Sequence, residues 1–496
     1  MKKIIQKKEK VIVRMAPSPT GALHIGNART ALFNYLFAKH YNGKLILRIE
    51  DTDKERSDKK WEKDILDGLH WLGIDWDKKT YHQSKRIEIY KKYLNEMLKE
   101  KKAFYCWHTK KELDKEREEQ TKQKQAPRHF CSYRNKDTNK KNLKNAIIRF
   151  KNDAKNTLKF NDLIRGEIKF EPENFGDFSI AKNITEPLYN FAVVIDDCQM
   201  KITHIIRGED HISNTPRQIL LQQALSMPMP KYAHLPLILG SDKSKLSKRH
   251  GAASVTEYKK LGYLPDALFN FLAILGWRGE NDKKEILKQD EIIEEFNIEN
   301  VQQSGAIFDI EKLNWMNAVY IREKTIEEFA QLCLPYLVGA GFIKKIEIKN
   351  QLSTSRTQVE GKLKLQNILK LEQTRIKKLS DIVEVTEYFF KEPKYDPAFL
   401  IWKNTHLDEL DEILLNLYDI VNNISIKNWK KNNIEKIIMP QAETMGDRGK
   451  MLWPLRVALC GKKASPGPFE ILELLDKSVA LKRIKKARTL IEKLKN

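Results

Sequence analysis

Residues 11–37 read VIVRMAPSPTGALHIGNARTALFNYLF. Val11-Ile12-Val13 opens an apolar run that predicts a strand over residues 11–17. Pro17, Pro19, Gly21 and Gly26 then interrupt it. Helical spacing resumes over about 27–41, with Ala28, Ala31, Leu32, Tyr35 and Leu36 on one face. Leu45–Ile49 is a second strand, ending at Glu50-Asp51. Strand, helix and strand in that order imply a parallel pair joined by a crossover. Such a turn holds phosphates, because glycine lets the backbone approach a ligand and the helix N-terminus offers unpaired N–H groups. No Gly-Lys-Ser/Thr follows, and there is no G-x-G-x-x-G, so the turn is neither a Walker loop nor a dinucleotide fingerprint. On its own His24 reads first as a helix cap, and as a donor to a phosphate oxygen in the alternative.

Further along, helical patterns occupy about 60–72, 86–101 and 213–226, the last with Pro216 in its first turn. Strands are predicted at Leu188–Ile195, Lys201–Ile206 and His234–Leu239, the last ended by Gly240. Directly after it comes Lys243-Ser244-Lys245-Leu246-Ser247-Lys248-Arg249-His250-Gly251, a basic loop of small residues suited to β and γ phosphates. This loop and the 17–27 turn follow separate strands of one α/β core, where such folds build their sites. Residues 101–190 are dense in Lys and Asn and read as an insertion, with Asn135–Lys144 as a polar surface loop. From about 320 the pattern is helical, without strand alternation.

A chain of 496 residues is too long for one ordinary core. Its formal net charge of +23 attracts polyanions, nucleic acid first among them. Five scattered cysteines argue against a disulfide framework and for a reducing compartment. No apolar run reaches transmembrane length, and MKKIIQKKEK lacks the apolar stretch of a signal peptide, so the expected location is cytoplasmic.

A-P-S-P-T-G-x-L-H-I-G with K-L-S-K-R resembles the paired signatures of class I aminoacyl-tRNA synthetases. R-T-A-L-F-N, L-R-I-E-D-T-D, Y-N-F-x-V-V-x-D-D and H-I-I-R-G-E-D-H resemble its glutamyl branch, of bacterial type. The likeness is dense over 11–320. It continues more thinly through P-L-R-V-A-L and the G-P-F-E at 467–470. It implies an α/β, Rossmann-like catalytic domain with an inserted acceptor-binding subdomain, followed by an all-α anticodon-binding region. The segments expected are 1–100 for the first catalytic half, 101–190 for the insertion, 191–320 for the second half with the signature loop, and 321–496 for the anticodon-binding helices.

The resemblance also implies roles. ATP would meet Pro17, Ser18, Thr20, Gly21, His24, Gly26 and Asn27 from the first signature and Lys245, Leu246, Ser247, Lys248 and Arg249 from the second. His24, Lys245 and Lys248 would be catalytic. Glutamate would meet Arg14, Ala16, Ser18, Glu50, Tyr189 and Arg207. A zwitterion with a second carboxylate needs an anion for its ammonium (Glu50) and cations for its carboxylates (Arg14, Arg207). Tyr189 would add a hydroxyl donor. The implied reaction is ATP-dependent formation of glutamyl-adenylate, with Mg²⁺ assisting, then transfer to the 3′-terminal adenosine of tRNA(Glu). Whether tRNA(Gln) is a second acceptor stays open. The expected partners are tRNA, glutamate and ATP, and the expected state is a monomer.

Cys106-Trp107-His108 and His129-Phe130-Cys131 carry the ligand types of a Cys₂His₂ zinc tetrahedron, with Tyr133 as an alternative ligand. Arg448, Lys450 and Arg456 lie in a basic stretch expected near the anticodon stem. Rival readings remain, among them these. A glutaminyl enzyme would carry P-E-P-N-G where Ser18-Pro19-Thr20-Gly21 stands. An inactive tRNA-binding paralogue would not need His24, Lys245, Lys248 and Arg207.

Overall fold

The computed structural model describes residues 10–495, apart from 54, 78, 126, 127, 130, 137–142, 144, 248, 250, 252, 253, 280–283 and 345–355. The chain forms two compact units. One takes in residues up to Lys259 together with Pro265–Leu313; the other takes in Lys260–Leu264 and the chain from Asn314 onward.

In the first unit, β1 (Ile12–Met15), α1 (Ile25–His40) and β2 (Lys44–Ile49) realise the predicted βαβ motif. β1 and β2 run parallel, Val13 beside Leu45. After α2 (Lys59–Trp71), β3 (Thr80–His82) adds a parallel strand on the far side of β2. α1 departs from the expected one-sided helix. Ile25, Arg29, Phe33 and Asn34 are buried along with the predicted face, because strands and helices cover it on several sides.

α3 (Ile87–Lys99) leads into β4 (Ala103–Cys106) and α4 (Lys110–Lys122). β5 (Ile147–Phe150), β6 (Leu158–Asp162), β7 (Gly166–Phe170), β8 (Ser179–Asn183) and β9 (Glu186–Pro187) follow. β4, β5, β8 and β9 make an antiparallel sheet. β6 and β7 do otherwise, as the next strands show.

Leu188–Ile195 was expected to be a strand but is helical: α5 spans Tyr189–Gln199. Phe191 through Asp197 are all buried, so the segment has no polar face, and without one an apolar run reads alike as buried strand or buried helix. β10 (His204–Gly208) begins later than predicted, after a turn in which Lys201 has φ +56°. α6 (Thr215–Ala224) leads to β11 (Lys231–Leu235). Pro236 breaks the strand expected over 234–239; β12 (Ile238–Leu239) then pairs with β13 (Ala306–Ile307).

β10 and β11 are parallel, with Arg207 beside His234, and β11 pairs with β6 at Tyr232 and Asp162. β6 therefore extends this sheet in parallel, and β7 adds an antiparallel edge beyond it. The N–H of Thr203 bonds Ile12 O at 2.9 Å and brings β10 to the edge of β1. The carboxyl ends of β1, β2 and β10 all open on one side, where the site is built.

The second unit is helical among its described residues. Helices Leu407–Asn423, Lys431–Thr444, Gly449–Cys460, Pro468–Leu474 and Lys477–Lys495 share one core of residues such as Leu414, Ile438, Leu455 and Ile484. Gly461, at φ +72°, ends one of them in the left-handed conformation that glycine adopts without strain. No described helix is long and apolar enough to cross a membrane.

Candidate active site

The turn after β1 folds against its neighbours by backbone bonds. Glu50 N–H donates to Pro17 O at 2.9 Å and Asp58 N–H to Pro19 O at 3.0 Å. His24 caps α1, its Nδ1 accepting from Gly26 N–H at 3.1 Å. Burial first, and then the nearby Lys245 charge, hold the ring below the usual histidine range. The imidazole is therefore neutral, and with Nδ1 engaged as an acceptor its proton sits on Nε2. Capping through Nδ1 thus leaves Nε2–H able to donate.

The second signature loop returns to the first. Residues 24 and 254 form an antiparallel bridge, and Val255 N–H bonds Leu23 O at 3.0 Å. Asp64 on α2 ties both segments, accepting from Leu23 N–H at 2.8 Å and from the Thr256 hydroxyl at 2.6 Å.

A cavity of about 1230 Å³ opens between these loops. Of the expected nucleotide and amino-acid residues, it is lined by Arg14, Ala16, Pro17, Ser18, Thr20, His24, Gly26, Asn27, Glu50, Tyr189, Arg207, Lys245 and Leu246. Gly21, Ser247 and Arg249 are not in the lining; Arg249 instead pairs with Asp242 at 3.1 Å. Lys248 lies outside the described residues.

Beneath the cavity is a charge cluster that sequence reading missed. Arg48, wholly buried in β2, puts Nη1 2.6 Å from Asp197 Oδ1 and Nη2 3.2 Å from Glu50 Oε1, and lies 3.7 Å from Asp196. Arg14 Nε faces Asp197 at 3.4 Å. Burial works against the Asp197 charge, but Arg14 and Arg48 outweigh it and hold its carboxyl below the usual range. Glu50 is instead pushed up by burial, which Arg48 and Arg14 only partly offset. A cation entering beside Glu50 would restore its charged form. The signal available in the sequence was Arg48 itself, a charge amid Leu45-Ile46-Leu47 and Ile49.

Tyr189 lines the cavity with its hydroxyl already engaged. Its hydroxyl lies 3.1 Å from His211 Nδ1. Burial, and then Arg207, push His211 down to about 4, so its ring is neutral; Asn214 Nδ2 also points at Nδ1, at 3.4 Å. Nδ1 is then the acceptor, the phenol donates to it, and the phenol oxygen presents lone pairs to the cavity.

In the same unit, Cys106, His108, His129 and Cys131 offer ligand atoms that lie within 4.8 Å of one another. Cys106 Sγ is 3.4 Å from His108 Nδ1 and 3.7 Å from His129 Nε2, and Cys131 Sγ is 3.7 Å from His108 Nδ1. Tetrahedral zinc with bonds of about 2.0–2.3 Å needs such edges of roughly 3.5 Å. Glu116 takes the other nitrogen of His129 at 2.5 Å, the carboxylate that orients a metal-bound imidazole. The residues fit zinc. Tyr133 packs its ring on His108 and Trp107.

In the helical unit, Arg448 pairs with Glu443 at 2.9 Å and Lys450 with Glu409 at 2.6 Å. Arg456 lies over the Trp453 ring at 4.5 Å.

Two family descriptions match the chain: "tRNA synthetases class I (E and Q), catalytic domain" over residues 10–315 and "Anticodon binding domain" over 328–488. A glutamate–tRNA ligase 1 of Caldicellulosiruptor saccharolyticus is 41% identical over 97% of this chain and 99% of its own. A glutamate–tRNA ligase of Aquifex aeolicus is 41% identical over 96% and 98%. A crystal structure of a glutamate tRNA ligase from Elizabethkingia meningosepticum, in complex with its amino acid, superposes with a TM-score of 0.82 at 33% identity, covering 97% of this chain and 99% of that one. With the paired signatures on one cavity and full-length likeness of this kind, the chain belongs to the glutamate–tRNA ligase family of class I aminoacyl-tRNA synthetases.

Proposed function

We propose that this protein activates L-glutamate with ATP and transfers it to the 3′-terminal adenosine of tRNA(Glu). The observation that carries the reading is the convergence of His24 and Lys245 with Arg14, Glu50, Tyr189 and Arg207 on one cavity. The substrate ATP enters as its Mg²⁺ complex. A glutamate α-carboxylate oxygen attacks the α-phosphorus; the bond to the bridging oxygen breaks and pyrophosphate leaves with that electron pair. The adenosine hydroxyl then attacks the acyl carbon and AMP departs. No side chain becomes a nucleophile. His24 Nε2–H donates to the phosphoryl oxygens as charge builds, and Lys245, with Lys248 in the same loop, neutralises the departing pyrophosphate. Glu50 and the Tyr189 oxygen receive the ammonium; Arg14 and Arg207 receive the carboxylates.

The 101–190 stretch is proposed to receive the tRNA acceptor end, with zinc held by Cys106, His108, His129 and Cys131 as a structural brace. The helices from 321 onward, Arg448, Lys450 and Arg456 among them, are proposed to read the anticodon. A cytoplasmic monomer completes the reading. The test is ATP–pyrophosphate exchange with glutamate and tRNA(Glu), followed by charging of purified tRNA(Glu) and tRNA(Gln). Exchange driven by glutamine instead of glutamate, or no exchange at all, would overturn the proposal.

A further inference from the structure

Arg207 sits on β10 directly beside His234 on β11, and both are buried. His234 Nδ1 lies 2.6 Å from Asp162 Oδ2, and its backbone N–H bonds the same oxygen at 3.1 Å. Asp162 Oδ1 accepts from Ile164 N–H and Arg165 N–H, each at 3.0 Å. A carboxylate receiving this many donors stays ionised, so the proton between Asp162 and His234 belongs to Nδ1. Nε2 is then a lone pair. It faces Arg207 Nε at 3.3 Å and the Thr215 hydroxyl at 3.0 Å. Thr215 Oγ1 also accepts from Arg207 Nη2 at 2.7 Å. Two of the three guanidinium nitrogens are thereby fixed from behind. The third, Nη1, is buried without a partner on a residue that lines the cavity.

We propose that His234 and Asp162 are positioning residues for glutamate binding: their proton order makes His234 Nε2 an acceptor that aims Arg207 Nη1 at a substrate carboxylate. This rests on the reading that Arg207 binds glutamate. Asp162 lies on β6, so the stretch between 101 and 190 reaches the amino-acid site through this chain of bonds. Replacing Asp162 by Asn would force its amide toward His234, because Oδ1 must remain an acceptor for two backbone N–H groups. The imidazole would then carry its proton on Nε2, facing the guanidinium.

The test is ATP–pyrophosphate exchange with tRNA(Glu) present, varying glutamate and ATP separately. H234L and D162N are expected to raise the glutamate KM at least tenfold, with the ATP KM changing less than threefold. H234Q keeps an acceptor near the Nε2 position and is expected to stay within threefold of the parent. Thermal melting of each variant reports folding independently. In an R207A background, H234L is expected to add nothing further, since both act through one contact. If R207A leaves the glutamate KM unchanged, the underlying reading of Arg207 fails. If R207A raises it but H234L does not, or if H234L raises the glutamate and ATP KM in equal proportion, the positioning proposal alone fails.

Discussion

Arg48 and Asp197 form an ion pair of 2.6 Å with both side chains almost wholly out of solvent, directly under the cavity floor. The pair is one edge of a cluster in which the single guanidinium also meets Glu50 and Asp196. Desolvating these groups costs several kcal/mol each, and their mutual attraction offsets it only while every partner is present. Arg48→Met keeps most of the volume but strips Glu50 of its ion-pair partner and leaves Asp197 with Arg14 alone, while Asp196 keeps Arg86. The expected loss is about 3–5 kcal/mol of folding stability. Urea unfolding of the variant measures it; a loss below ~1 kcal/mol would mean the cluster is wetter than the structure has it.

The proposed function gives His24 a cap on Nδ1 and a phosphate donor on Nε2, two roles on two nitrogens, which makes them separable. Asparagine is a good N-cap and restores an acceptor for Gly26 N–H, but it has nothing at the Nε2 position. His24→Asn should therefore hold the melting temperature near the parent's while the exchange rate falls by a barrier of about 2.7–4 kcal/mol, the scale for one lost oxyanion donor. A variant that melts early and exchanges normally would assign His24 to the cap alone.

Glu50→Gln removes the carboxylate proposed to meet the glutamate ammonium while keeping its size. A hydrogen bond to a charged group contributes about 1.5–3 kcal/mol, so the glutamate KM should rise roughly tenfold to a hundredfold. That interaction is the same in the ground and transition states, so kcat should change little. A fall in kcat with KM unmoved would place Glu50 in the chemistry instead.

How far these residues were visible beforehand depends on the kind of signal each leaves. Pro17, Gly21 and Gly26 punctuate the chain locally, so β1, the turn and α1 could be read from position alone. Leu188–Ile195 could not, because a segment buried on every side has lost the polar face that distinguishes a period of 3.6 from one of 2. Lys245 and His24 stand far apart in the chain; their places after separate strands of one α/β core, and then the likeness to a family, joined them, and geometry brought both to one cavity. Arg48, Asp196, Asp197 and Asp162 escaped notice for a common reason. A charged letter usually denotes a solvated face, and nothing short of tertiary structure says which carboxylate a buried guanidinium will meet.

The cysteine–histidine cluster gives a prediction independent of catalysis. None of its four residues lines the cavity, and the buried apolar group around it is small: Phe104 beside Cys106 and Cys131 themselves, with Tyr133 and Ile147 packed against them. Zinc would supply what that core lacks, since binding energy at a site formed only in the folded state becomes folding energy. Metal analysis of the purified protein should find one zinc per chain, lost in Cys131→Ser. Glu116→Gln leaves all four ligands in place but removes the carboxylate behind His129, and should weaken zinc binding ten- to a hundredfold. Chelation should speed amide exchange in β4 and β5 while the glutamate KM stays fixed. Protein that purifies without zinc, or a Cys131→Ser variant that retains it, would reduce the cluster to four polar side chains that happen to meet.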